Sequence, residues 1–115
     1  MGTNVKTINI AEDFSMTPFG RYRTDSKFSA QKFRDETLLP ALRANDVVII
    51  ELDGTSISYG SSFLEETFGG LVRKGITPSV IKEKIKIHTR LEDYKLEIEH
   101  YIDRAAKEME QDLAH

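Results

Sequence analysis

The residues best suited to chemistry run from Asp53-Gly54-Thr55 to Tyr59-Gly60-Ser61-Ser62, between an apolar stretch and a helical pattern. A strand that ends where a helix begins is where open α/β sheets form their ligand crevices. The unpaired backbone N–H groups and the positive dipole end of such a helix receive anions. Hydroxyls of Thr55, Ser56, Ser58, Ser61 and Ser62 crowd the same segment. A turn at Asp53-Gly54 and a helix cap would need only one of them, so the surplus marks 53–66 as the working surface. Recognition of another protein, without catalysis, is the first expectation. The alternative is a small phosphate-handling enzyme or nucleotide binder that uses Asp53 and the helix start at Ser61.

Other chemistries find little support. Gly60-Ser61-Ser62-Phe63-Leu64 lacks the second glycine of a Gly-x-Ser-x-Gly nucleophile elbow. The three histidines, His88, His100 and His115, fall at a strand end, on a helix and at the last position, with no metal-binding spacing. No catalytic residue, metal site or cofactor is therefore expected. Cysteine is absent, which removes disulfides, thiolate ligands and cysteine nucleophiles. With 16 basic against 19 acidic residues there is no cationic surplus for phosphate backbones, so nucleic acid is not an expected partner. The start of the chain has no signal-peptide pattern, and the apolar run 47–50 is far too short to span a bilayer. A cytoplasmic protein without membrane contact is expected.

The elements that must carry the segment follow from periodicity. Residues 6–10 alternate as a strand with one buried face. Pro18 and Gly20 break the pattern, and a short second strand is expected around 21–23. Ser29 caps a helix whose stripe includes Phe33, Leu38 and Leu42, with a kink or break near Leu39 because Pro40 removes a hydrogen bond. Residues 46–52 read as a central strand, apolar on both faces and covered by helices on both sides.

In the next helix, Ser62 and Glu65 have capping-box spacing and Gly75 supplies the stop. Gly69-Gly70 inside it costs about 1 kcal/mol per glycine against alanine, which implies a close helix–sheet or helix–partner approach. Thr77-Pro78 opens a short helix, and 84–88 alternates as a strand with Ile85 and Ile87 inward. A last helix over about 91–113 would be roughly 35 Å long. Its excess length suggests pairing with a second copy. The order predicts a single α/β domain over 1–115, with a mixed or largely parallel sheet covered by helices.

Arg21, Arg23, Lys27, Lys32 and Arg34 cluster around Tyr22 and Phe28, a basic face for an acidic partner or a phosphate near Ser61. Glu51-Leu52-Asp53-Gly54-Thr55 is similar to the Asp-x-Asp-Gly-Thr signature of haloacid-dehalogenase-type phosphatases. Here Glu51 takes the place of the nucleophile, and misplacement by its extra methylene can cost about 100-fold.

A wider resemblance rests on Phe19-Gly20-Arg21-Tyr22-Arg23, Phe33-Arg34-Asp35-Glu36, Asp53-Gly54-Thr55, Tyr59 through Glu66, and Gly69 through Arg73. Together these resemble the bacterial STAS-like domain family of unknown function, most firmly over 21–73. The anti-sigma-factor antagonists, more distant STAS domains, have Asp-Ser-Ser-Gly-Leu where this chain has Gly60-Ser61-Ser62-Phe63-Leu64. The resemblance implies a phosphoacceptor at Ser61, with Ser62 as second choice, and partner switching with a histidine-kinase-like ATPase. The interaction surface it implies comprises Tyr59, Gly60, Ser61, Ser62, Phe63 and Glu66, faced by Arg21, Tyr22 and Arg23. Asp53, Gly54 and Thr55 form the adjoining turn.

Overall fold

The computed structural model describes residues 2–113. Three strands, β1 (Val5–Asn9), β2 (Val47–Glu51) and β3 (Ile85–His88), make one parallel sheet in the order β1-β2-β3. Ile8 sits beside Ile50, and Ile50 beside Ile87, so period-two side chains of all three strands share one face. Val48 and Ile50 on that face are fully buried.

The opposite face is open, contrary to the expectation of helices on both sides of β2. Val47 and Ile49 are only half-buried, Thr7 and Lys86 are exposed, and Val5 is 53% exposed. Topology supplies the reason. Both crossovers step the same way across the sheet, and right-handed connections then place their helices on one side.

The first crossover carries α1 (Ala30–Phe33), a π-helical turn (Arg34–Leu38) and α2 (Leu39–Ala44), which run on as one helix over 30–44. Ser29 caps it as expected, its hydroxyl accepting from Lys32 N–H. The helix does not break at Pro40. The Leu39 N–H instead reaches back five residues to the Arg34 carbonyl, and this widened turn ends just before the proline. The strand expected around 21–23 is absent: that stretch is bend and turn, tied by Ala30 N–H to Gly20 O and Gln31 N–H to Arg21 O.

The second crossover begins with α3 (Ser61–Leu64), a π-helical turn (Glu65–Gly69) and α4 (Gly70–Arg73), a central helix over 61–73. Gly75, at φ +100°, ends it, and Ile76 N–H closes back on Leu71 O. Next come α5 (Pro78–Lys84) and, after β3, α6 (Glu92–Leu113). Ile98, Tyr101, Ile102 and Ala105 bury one face of α6 against the central helix, whereas Leu91 lies just before it and is 56% exposed. Leu113 at its tip is 84% exposed. His115 lies outside the described residues.

Candidate functional site

The segment after β2 divides into a crevice loop and a helix start. Leu52 is buried, Gly54 turns the chain at φ +106°, and the loop runs 53–59. Its backbone is anchored by Ser56 N–H donating to Met16 O and by the Tyr59 hydroxyl donating to Leu52 O. Tyr59 is 7% exposed, and burial pushes its phenol well above the ordinary range. Tyr94 stacks edge-on against it, and the Tyr94 hydroxyl accepts from Tyr59 N–H.

A crevice of about 380 Å³ lies along this loop, walled on the far side by Arg90, Leu91 and Tyr94. Asp53 opens onto it, but its carboxylate is engaged. One oxygen accepts from Thr89 Oγ1 at 2.8 Å and the other from Arg90 N–H at 2.9 Å. Those two bonds, Thr89 first, hold the carboxyl below its ordinary range. Asp53 thus clasps the β3–α6 turn. Ser61 is not among the residues lining the crevice, so the pair needed by the phosphate-handling alternative is not brought together there.

The helix start differs from its sequence pattern. Gly60 is the N-cap, in extended conformation and without a side-chain cap, and Ser62 falls inside the first turn. Glu65 does not close a capping box because arginines hold its carboxylate. Arg73 donates at 2.8 Å to Oε2, and Arg21 donates at 2.5 Å to Oε1. Burial alone would push the Glu65 carboxyl up. Hydrogen bonds from Arg73 and Arg21 outweigh that and hold it below the usual range.

Glu66 is the second acid of this cluster. Arg34, buried to 4% exposure, donates Nη1 to Glu66 Oε2 at 2.5 Å and to the Glu66 carbonyl at 3.0 Å. Its Nε reaches Asp35 at 2.9 Å. Arg21 and Arg73 also approach Glu66, at 3.2 and 3.4 Å. Three arginines therefore saturate two adjacent carboxylates that have side chains only 9% exposed. Such carboxylates are acceptors already occupied, not free bases.

The two glycines exist for this cluster and not for a close helix–sheet approach. A Cβ at Gly69 would lie 2.5 Å from Glu65 Oε2, and one at Gly70 would overlap Arg34 Nη1. The network is what periodicity missed. Its sequence signal was available: two consecutive glutamates behind Phe63-Leu64, followed by two glycines and Arg73, cannot all face water on a buried helix.

Several residues expected on the surface are inside. Phe63 is 1% exposed and packs at 6.3 Å from the Phe33 ring and 5.9 Å from that of Tyr59. Glu66 and Tyr59 are also buried, so none of the three presents a docking face. Gly60, Ser61 and Ser62 remain exposed. Tyr22 is 49% exposed, while Arg23 pairs with Glu36 and Arg21 with the glutamates. The expected basic face is therefore largely neutralised from within the chain, with Lys32 lying over the Phe28 ring.

Beside Ser61 stands Tyr101 of α6, whose hydroxyl donates to Glu97 at 2.8 Å. Burial and that bond raise its phenol, and Ser61 acts in the opposite direction. Among the described residues, no group of three His, Asp or Glu side chains could hold a metal, and no helix is long and apolar enough to cross a membrane.

A family model described as a STAS-like domain of unknown function matches residues 29–93, more than half the chain. The match takes in the helix over 30–44, β2, the central helix and β3. No curated protein and no solved structure matches the chain.

Proposed function

The chain belongs to the family of STAS-like domains of unknown function, and from that membership we infer a non-enzymatic, regulatory protein-recognition module whose contact is the start of the central helix. One observation carries this. Ser61 and Ser62 are exposed, whereas every residue from 63 to 72 is buried, so a partner can reach this helix only at its first turn or at Arg73, which ends it and is already paired with Glu65. Gly60 brings no capping side chain, which leaves the first backbone N–H groups without a side-chain acceptor.

Ser61 is the phosphoacceptor in this proposal, with Ser62 second, and a histidine-kinase-like ATPase is the partner that modifies it. A phosphate there adds nearly two negative charges where the helix dipole favours them. The same charge arrives beside the Tyr101 hydroxyl already given to Glu97, so it competes with a carboxylate for one donor. Phosphorylation would thus change both the contact surface and the seating of α6, and either change releases a partner.

The test combines the chain, ATP and such an ATPase, followed by mass spectrometry of the serine-bearing peptide. Phosphate on Ser61, with binding lost in Ser61→Asp and kept in Ser61→Ala, is the expected outcome. An unmodified helix start, or capture indifferent to both substitutions, would remove the proposal.

A further inference from the structure

On the far side of the sheet from β1, the edge of β3 opens into a cleft of about 390 Å³ that the STAS-like reading does not use. All four β3 residues, Ile85, Lys86, Ile87 and His88, line it. Side chains of successive strand residues point to opposite faces. A cavity touched by every one of them therefore runs along the strand's edge and not over a face. That edge pairs with no other strand among the described residues, since β3 is outermost in the order β1-β2-β3.

The floor and far wall are apolar: Phe68 from the central helix, Ile81 from α5, and Ile98 and Ile102 from α6. The rim is cationic, with Lys82, Lys86 and Lys95 against Glu99 alone. Lys82 and Lys95 hold solvent-exposed partners, Asp103 at 2.7 Å and Glu92 at 3.7 Å. Exposed pairs of this kind contribute only about 0–1 kcal/mol and exchange readily. Lys86 has no ion-pair partner among the described residues.

Lysine on an edge strand also discourages accidental sheet extension. Protection alone, however, does not explain an apolar trough between the strand and a helix. We propose that this cleft is a docking site for an extended peptide segment of a partner protein, added as a fourth strand beside β3. Its apolar side chains alternate with Asp or Glu. Main-chain hydrogen bonds to the edge supply affinity, the trough receives the apolar side chains, and the lysines select the acidic ones. The occupant follows from charge: Lys86 offers a cation unpaired among the described residues, and the exposed pairs of Lys82 and Lys95 can be exchanged for carboxylates of an acidic segment, whereas a basic one would meet all three lysines.

A displayed library of random peptides, selected on the full chain and counter-selected on Lys86→Glu, tests this. Sequences alternating apolar with Asp or Glu are expected to be enriched. Synthetic versions should bind by fluorescence anisotropy, slow amide exchange at 85–88, and lose about ten-fold or more in affinity with Lys86→Glu or Lys95→Glu. N-methylation of alternate peptide amides should abolish binding, and Ser61→Ala should leave it unchanged. Circular dichroism checks that both lysine variants remain folded. No enrichment, enrichment of basic sequences, or binding indifferent to N-methylation at every amide would overturn the assignment. Self-association that protects 85–88 without peptide would also overturn it, because it would give the edge to a second copy.

Discussion

Replacing Gly70 with alanine is expected to destabilise the protein, although alanine is the better helix former. Gly70 has helical angles, φ −60° and ψ −31°, so the backbone would accept alanine and gain about 1 kcal/mol in propensity. The obstacle is the side chain beside it. A Cβ there overlaps Arg34 Nη1 and stands 3.1 Å from Arg34 Cδ and 3.2 Å from Glu66 Oε2. Arg34 cannot swing aside freely, because it is 4% exposed and held by Glu66 through both its carboxylate and its carbonyl. Moving it breaks a buried pair, which costs about 3–5 kcal/mol when one partner is left behind. The net loss is then about 2–4 kcal/mol after the helix gain. Urea unfolding reads it as a lower midpoint at unchanged slope. In an Arg34→Met background the obstacle is gone, and the same alanine should stabilise by about 1 kcal/mol. Stability of Gly70→Ala at or above wild type, or an equal loss in both backgrounds, would refute the reasoning.

Two further outcomes follow from the same contacts. Because the Glu65 carboxyl is lower in the folded state, its contribution is complete above the unfolded value of about 4.3 and is lost as pH falls through the folded one. Melting temperature should drop across that acid window, and Glu65→Gln should flatten the drop; an identical slope in the variant would sink the assignment. Asp53→Asn should weaken the clasp on Thr89 and Arg90 by about 1 kcal/mol, less than the roughly 1.5–3 kcal/mol usual for a bond to a charged group because the side chain is partly exposed. Faster exchange of the Arg90 amide is the readout, and unchanged protection there would count against the clasp.

Patterns of period two and period 3.6 made most of the fold legible. β1, β2 and β3, the Ser29 cap, the Gly75 stop and the long α6 all carry their signals locally. What escaped depends on contacts distant in sequence. Ser62 and Glu65 have capping-box spacing, but Arg21 lies 44 residues away from Glu65 and offers its carboxylate a charged donor that a backbone N–H cannot match. Phe63 looked like an exposed apolar residue in a serine-rich turn. It is buried because the cap is Gly60, which sets the helix start so that Phe63 faces Phe33. Asp53 was singled out by its position at a strand end. Its partners Thr89 and Arg90 follow a different strand, and only the parallel pairing of β2 with β3 brings them together.

The one-sided sheet and the arginine–glutamate cluster have a common consequence for where partners can bind. A layer of helices on one face leaves a three-stranded parallel sheet with two open edges and a bare second face. The central helix is the most enclosed element of that layer, flanked by the helix over 30–44 and by α6. Its polar side, which would otherwise need water, is closed by Arg21 and Arg34 reaching in from other segments and by Arg73 of the helix's own last turn. That closure removes the helix flank as a contact surface and leaves its first turn and, at the other end, Arg73. The β3 edge is left open by a separate cause, the absence of a fourth strand. Two exposed features with independent origins should respond independently to mutation. Ser61→Asp and Lys86→Glu should therefore affect binding of a phosphorylating ATPase and of an acidic strand peptide separately, and in a double variant each loss should equal that of its single variant.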